Sequence, residues 1–153
     1  MLKKILLGLL VILVLIQFIR PAKNQSNSAT PDDIFNHYQA PDSIKTMIKT
    51  SCYDCHSDNT NYPWYSEIQP VAWWLDHHIE EGRNELNFSD FEAFNARFKS
   101  HKLDEVMDEV ESENMPLKSY LISHQDAKLT VSQREAIVNW ANQVRNIIKP
   151  RDQ

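Results

Sequence analysis

Glycine is nearly absent: the 153-residue chain has only two, Gly8 and Gly82. Tight hairpins, glycine-rich phosphate loops and many turns of all-β sandwiches depend on this residue. The 42% hydrophobic and 24% charged content is nevertheless that of a globular protein rather than a disordered or fibrous one. The composition therefore favours an all-α domain.

Basic residues are also scarce beyond the N-terminal segment. All 21 acidic residues follow Lys23, whereas only 12 of the 16 Lys and Arg residues do, which leaves that part with a formal charge of −9. Binding to phosphate backbones needs the opposite sign. We therefore expect no nucleic-acid partner, and a protein partner with a basic docking face.

One long apolar run stands near the N-terminus. Residues 5–19 read ILLGLLVILVLIQFI, after Lys3 and Lys4 and before Arg20. As a helix the run would reach about 22 Å, which is short of a full bilayer core but typical of a signal or signal-anchor. Without a clear A-x-A cleavage site, residues 1–20 are interpreted as a retained inner-membrane anchor with the remainder in the periplasm. The alternative is a buried core helix.

Beyond the apolar run, the composition divides the chain. Residues 21–40 are rich in Asn, Ser, Gln, Ala and Pro, which predicts a flexible linker, with folded structure beginning near residue 35. Residues 41–149 are then predicted to form a single domain without internal repeats.

Apolar residues recur at helical spacing in five segments of that domain. The first half is predicted to form a helix from Ile44 to Cys55, an aromatic loop over 57–69 and a helix from Pro70 to Gly82. A third helix is predicted to begin with a capping box of Ser89 and Glu92 and to carry Phe91, Phe94 and Phe98, and an acidic-faced helix follows from Leu103 to Val110. The last helix is predicted to be capped by Thr130 with Gln133 or Ser132 with Glu135 and to end at Pro150. This pattern predicts an all-α bundle of about four to five helices after the anchor helix.

Residues 51–57, S-C-Y-D-C-H-S, carry the chemistry. The pattern Cys52-x-x-Cys55-His56 is that of covalent haem c attachment, in which two thiols add to the haem vinyl groups and the adjacent imidazole binds the iron. The spacing suits this chemistry because both sulfurs can meet one edge of the macrocycle. We therefore expect one haem c, bound through Cys52, Cys55 and His56, inside a cytochrome c-like bundle.

Three other interpretations of the cysteine pair remain open. A thioredoxin-type redox pair would need a βαβ setting, which the flanking sequence does not indicate. A structural disulfide across so short a loop would remove little chain entropy. Zinc bound by Cys52, Cys55, His56 and another His would ordinarily draw on a second paired motif.

Several motifs together resemble the haem-binding domain family of small bacterial c-type cytochromes. They are CYDCHSDN at 52–59, PWYS at 63–66, EGR at 81–83, LNFS at 86–89 and MPLKSY at 115–120. The resemblance spans most of residues 40–145. It implies a monohaem protein that is membrane-anchored or periplasmic.

The second axial ligand is predicted to be Met115. Pro116 favours an extended conformation for Met115 in a loop between helices, which suits presentation of a thioether to iron. By resemblance, its 59-residue distance from His56 is similar to that in single-haem class I cytochromes c. The alternatives are that Met115 fills a gap in the core, or that a histidine takes its place. The candidate histidines are His77 and His78, then His124 and His101.

With both axial positions filled, no iron site is open to substrate. We therefore expect an electron carrier that passes single electrons between redox proteins, and not an enzyme. The alternative is a haem-based sensor or peroxidase-like protein with a displaceable distal ligand. The aromatic residues expected to line the haem crevice are Tyr62, Trp64, Tyr65, Trp73, Trp74 and the phenylalanines. Arg83 is interpreted as the partner of a haem propionate or, alternatively, of a surface carboxylate.

Overall fold

The computed structural model describes residues 1–26 and 30–148. Within these ranges the chain is helical, with no strand and one isolated β-bridge between Gln25 and Asn59. The α-helices are α1 (Leu2–Ile16), α2 (Ile34–His37), α3 (Asp42–Ser51), α4 (Tyr53–His56), α5 (Val71–Glu85), α6 (Ala96–Glu111), α7 (Lys118–Leu121) and α8 (Val131–Ile148). Short 3₁₀ segments occupy Trp64–Glu67, Phe88–Ala93 and Gln125–Ala127. The all-α prediction is confirmed, and four helices of ten residues or more build the domain after α1.

The core lies mainly between α6 and α8, which make more extensive contact than any other two elements among the described residues. Leu103 of α6 and Ile137 and Val144 of α8 are almost completely buried, with Ile48 of α3 and Phe91 beside them. Burial of each such side chain contributes about 1.5–3 kcal/mol. The core thus fixes α3, whose C-terminal end leads directly into the cysteine motif.

The folded structure includes part of the segment 21–40, and its first buried side chain among the described residues lies close to the expected start near residue 35. Ile34 is fully buried, and the Phe35 ring lies 5.5 Å from that of Trp140 and 5.9 Å from that of Tyr53. The Asp33 carboxylate caps α2 by accepting from the Phe35 amide at 2.9 Å. The polar composition of residues 21–40 gave no indication of the capped turn that forms α2. The predicted domain end at 149 and helix end at Pro150 lie outside the described residues.

The predicted helix through Phe91, Phe94 and Phe98 is wrong. The 3₁₀ segment ends at Ala93, and Asn95 caps a new helix by accepting from the Phe98 amide at 3.0 Å. Phe98 and the predicted acidic-faced helix therefore belong to one continuous α6, because the stronger cap stands at Asn95.

The capping box before the last helix is confirmed. The Thr130 amide donates to Gln133 Oε1 at 2.8 Å, and the Gln133 amide donates to Thr130 Oγ1 at 3.3 Å. Helix α8 accordingly begins at Val131.

The apolar N-terminal run forms α1, and none of its residues is buried. A buried core helix, the alternative considered for this segment, is therefore wrong. Among the residues that the structure describes, no helix has both the length and the apolar character required to span a membrane.

A buried ion pair between α6 and the 3₁₀ segment before it gives a first testable prediction. Lys99 is only 6% exposed, and its ammonium lies 2.6 Å from Glu92 Oε1. The Tyr38 hydroxyl donates to the other Glu92 carboxylate oxygen at 3.0 Å. We expect Glu92→Gln to lower the free energy of unfolding by about 2 kcal/mol, because it leaves a buried ammonium without its counter-charge. Urea titration measures this, with the exposed Glu111→Gln as the control that stays near wild type.

The same pair fixes the sign of the pH dependence. Burial of Glu92 opposes its ionisation, but the hydrogen bonds from Lys99 and Tyr38 outweigh this and lower the pKa of Glu92 below its ordinary 4.5. A carboxylate with a depressed folded pKa stabilises the fold above its unfolded pKa and loses that contribution as the pH falls through the folded value. The gap between wild type and Glu92→Gln should therefore be complete at neutral pH and shrink below pH 4.5. A gap unchanged in acid would contradict the assignment.

Candidate cofactor site

The cysteine motif forms one helical turn between α3 and α5. Helix α3 ends at Ser51, and the His56 amide donates to the Cys52 carbonyl at 2.9 Å, which closes α4. Positions three apart on a helix share a face. Cys52 and Cys55 therefore both reach the same cavity wall, and His56 follows on that wall.

The His56 imidazole is held in a defined orientation. Its Nδ1 lies 2.9 Å from the carbonyl oxygen of Leu86, which can only accept, so Nδ1 carries the proton and donates. Nε2 then keeps its lone pair for a metal. Burial lowers the pKa of His56 below its ordinary 6.5, which favours the neutral ring required for ligation.

Helix α5 approaches the cysteine turn at Gly82. A Cβ at this position would lie 2.7 Å from the Cys55 carbonyl oxygen and 3.0 Å from the Cys55 Cβ. Side chains larger than hydrogen would push α4 away from α5. The glycine thus allows the close contact that forms this wall of the cavity.

The cavity has two adjoining lobes of about 260 and 450 Å³. Ser51, Cys52, His56, Glu85, Met115 and Pro116 line both lobes. Their combined size falls within the range of small-molecule and cofactor sites. Phe88, Val106 and Val110 give the larger lobe an apolar wall. This space beside two thiols and an imidazole fits a haem.

Met115 is held over the same cavity by the turn that follows α6. Glu113 adopts φ 61°, in the left-handed region, and so reverses the chain after Ser112. The amides of Asn114 and Met115 then both donate to the Glu109 carbonyl at 3.1 Å. The turn places Met115 in contact with both lobes, which His56 also lines.

Among the candidate histidines, the structure brings only His78 to the described cavity walls. His78 lines the smaller lobe, packs edge-to-face on Trp74 at 4.5 Å and lies 3.3 Å from Glu81. The side chains of His77 and His101 are 65% and 67% exposed. His124 lies outside both lobes and stacks on Tyr120 at 4.0 Å.

The predicted aromatic lining is largely wrong. Tyr62, Trp64, Tyr65, Trp73 and Trp74 line neither lobe, and Trp64 is 78% exposed. These five residues lie in the loop before α5 and at its first turns, away from the cavity end of that helix.

Two aromatic residues do line the cavity: Phe88, one of the phenylalanines expected there, and Tyr120, which was not predicted. Phe88 stacks on Tyr53 at 5.4 Å, and the Tyr120 hydroxyl donates to Asp54 Oδ2 at 2.8 Å. The signal for Tyr120 was its place five residues after Met115, within a motif that carried the resemblance.

The positive charge at the cavity comes from Lys102 and not from Arg83. Arg83 Nη2 donates to Asp58 Oδ1 at 2.6 Å and lines neither lobe, which agrees with the carboxylate alternative. Lys102 is 8% exposed, lines the larger lobe and pairs with Glu85 at 3.0 Å and Glu105 at 2.7 Å. Lys102 is therefore the one Lys or Arg among the residues that line the two lobes, it already binds two carboxylates there, and sequence reasoning missed it.

The surroundings of Cys52 and Cys55 differ from those of a thioredoxin-type redox pair. Both thiols are free, and burial raises their pKa values to about 12 and about 11, opposite to the shift that activates a thioredoxin-type nucleophile. The described residues contain no strand for a βαβ setting. Nor do they contain three His, Cys, Asp or Glu side chains grouped to hold a metal ion.

Comparison with known proteins agrees with the geometry. A family model described as a haem-binding domain matches residues 11–143, which include the cysteine motif, Gly82 and Met115. No curated protein and no solved structure matches the chain. Because the matched segment covers most of the chain, the protein belongs to the haem-binding domain family.

Proposed function

We propose that this protein is a membrane-anchored periplasmic monohaem c-type cytochrome that passes single electrons between redox partners. One observation carries the proposal: two thiols, an oriented imidazole and a thioether line one cavity of cofactor size, in a chain of the haem-binding domain family. The haem would supply reversible one-electron chemistry at its iron.

Cys52 and Cys55 would attach the group covalently. In each attachment the S–H bond adds across a vinyl C=C bond, so that a C–S bond forms and the hydrogen goes to the other carbon. This addition needs no external oxidant or reductant. Thioether bonds would keep a small domain loaded even when the axial ligands dissociate.

His56 and Met115 are proposed as the axial ligands. The Leu86 carbonyl accepts the Nδ1 proton of His56, which would leave the Nε2 lone pair to bind the iron. Met115 approaches from the turn after α6. A thioether opposite an imidazole raises the reduction potential relative to two imidazoles. With both ligands in place, the residues would leave no open iron position for substrate.

The charge around the cavity supports a partner with a basic face. Glu105, Asp108 and Glu109 of α6 line the larger lobe, in a domain that is acidic as a whole. Opposite charges steer encounter between proteins. We propose that redox partners dock over this acidic rim.

Membrane attachment is proposed through α1. Its apolar side chains are exposed from Leu2 to Leu15, and Lys3 and Lys4 precede all of them but Leu2. Positively charged N-terminal flanks stay in the cytoplasm, so the domain would face the periplasm.

Optical spectroscopy of the full chain, matured with haem-attachment machinery, tests the proposal. We expect a pyridine haemochrome typical of two thioethers, one reversible one-electron transition, and no carbon monoxide binding to the reduced protein at neutral pH. A colourless protein would refute haem binding. Ready carbon monoxide binding would favour a sensor, and peroxide turnover would favour a peroxidase.

Met115→Ala tests the distal ligand separately. We expect loss of the weak far-red absorption of methionine ligation and a fall in midpoint potential on the order of 0.1 V, within the roughly 0.8 V range that axial ligands control. Met107→Ala is the matched control, because Met107 packs against the core and lines neither lobe. Met107→Ala should lower the free energy of unfolding and leave the far-red band and the midpoint potential unchanged. If Met115→Ala keeps both, His78 becomes the ligand to test.

A further inference from the structure

Residues 17–23 are bound to the domain by a set of hydrogen bonds immediately after α1. Gln17 Oε1 accepts from the Gln69 amide at 2.9 Å, and Gln17 Nε2 donates to the Gln69 carbonyl at 3.2 Å. The Ile19 carbonyl accepts from Gln69 Nε2 at 2.9 Å and from Trp73 Nε1 at 3.0 Å. The end of the apolar helix is therefore joined directly to the domain near the start of α5.

Two ion pairs reinforce this junction. Arg20 and Lys23 both bind the Glu67 carboxylate, one at each oxygen. Lys23 also lies over the Tyr62 ring, 5.3 Å from its centre. Exposed ion pairs contribute little stability individually. Together with the hydrogen bonds, however, they define one orientation of residues 17–23 against the segment 62–73.

The same segment carries an exposed apolar surface, formed by Trp64, Ile68, Val71 and Trp74 and called here the apolar face. These side chains are 78%, 45%, 37% and 47% exposed, respectively. Among the described residues after 19, eight large hydrophobic side chains are exposed, and four of them fall within these eleven residues. Such concentration beside the end of α1 is not explained by packing within the domain.

We propose that the apolar face lies in the interfacial region of the lipid bilayer into which α1 inserts, an inference that rests on the proposed membrane anchoring. The occupant follows from continuity: the face is joined to the exposed apolar helix through Gln69 and Trp73, with Arg20 and Lys23 at the boundary. Tryptophan is the side chain that membrane–water interfaces favour, because its ring is apolar and its N–H is polar. The lipid would cover the apolar face.

This placement would hold the cavity close to the membrane. Helix α5 begins at the apolar face and ends at the cavity, and its residues Trp74 and Gly82 are about 12 Å apart along the axis at 1.5 Å per residue. The cavity would stay near the lipid surface in one orientation. Partners that are themselves held at that membrane would then meet the acidic rim of α6 without a search over all orientations.

Photochemical labelling of the full chain in vesicles tests the inference. The probe is a phosphatidylcholine with a diazirine near the glycerol end of one acyl chain, in vesicles of equal parts phosphatidylcholine and phosphatidylglycerol. After irradiation and proteolysis, mass spectrometry locates the lipid adducts. We expect adducts in peptides from residues 2–19 and from residues 63–75.

Paired variants make the result specific. Trp64→Ser with Trp74→Ser should remove the adducts from 63–75 and retain those in 2–19. Ile147→Ser, which alters a 71% exposed side chain on α8, should change neither. Helical circular dichroism confirms that each variant is folded.

The two proposals fail in different ways. Adducts confined to 2–19 in the unaltered chain would overturn the lipid contact of the apolar face and leave the anchoring proposal standing. Adducts in neither segment, with the chain failing to float with the vesicles, would overturn both.

Discussion

Replacing both Cys52 and Cys55 by serine should abolish covalent haem attachment. Serine hydroxyls do not add to the haem vinyl groups under conditions in which thiols do, so no bond to the chain forms. These are the only two cysteines in the sequence, and no other thiol can substitute. The double variant should show the unmodified polypeptide mass and no haem stain on a denaturing gel, whereas the unaltered chain gains the mass of one haem.

The single variants provide the matched controls. Cys52→Ser and Cys55→Ser each retain one thiol on the cavity wall, so each should yield a pyridine haemochrome shifted to that of one thioether. A double variant that still carries haem after denaturation would refute the attachment assigned to these cysteines. Zinc in the unaltered protein without Soret absorption would instead support the zinc alternative.

The parts of this site that the sequence predicts are those encoded by neighbouring residues. The cysteine motif occupies a single turn, and its chemistry depends on residue type and spacing that can be read directly from the chain. The cap formed by Thr130 and Gln133 is equally local. The position of Met115 could not be predicted from its neighbours alone, because the turn that places it depends on the conformation of Glu113 and on hydrogen bonds to the Glu109 carbonyl.

What the sequence does not provide is the direction in which each exposed or half-buried side chain faces. Trp64 and Trp74 were expected at the cavity because aromatic residues favour crevices, but their position on the loop and the first turn of α5 turns them outward. Lys102 shows the converse. A lysine beside an acidic helix face is expected to be exposed to solvent, yet tertiary packing buries Lys102 against the larger lobe.

Two features of the fold, the burial of Ile34 and the start of α6 after Phe94, depart from the pattern of the surrounding sequence. Ile34 lies within a polar stretch, and only the core formed by α3 and α8 gives it a place to be buried. Phe91 and Phe94 have helical spacing, but the cap at Asn95 starts α6 after them. In both cases a short local signal outweighed the composition or periodicity of its surroundings.

Gly82→Ala should destabilise the domain and reduce haem loading. In most helix interiors the change from glycine to alanine stabilises by about 1 kcal/mol. Here the new Cβ would stand 2.7 Å from a main-chain oxygen of Cys55, an atom that can move only if α4 moves. Overpacking of this kind costs about 1–3 kcal/mol. We therefore expect a net loss of up to about 2 kcal/mol in the free energy of unfolding by urea titration.

The other glycine of the chain is the natural control for this steric argument. A Cβ added at Gly8 meets no atom within 4 Å, so Gly8→Ala should be at least as stable as the unaltered chain. Repeating Gly82→Ala in the Cys52→Ser, Cys55→Ser background separates packing from haem binding. The cost should persist there, because the clash involves the Cys55 main chain and not its sulfur. A Gly82→Ala variant as stable as Gly8→Ala would mean that α4 and α5 are not in close contact, and the wall that carries Cys55 and His56 would have to be reassigned.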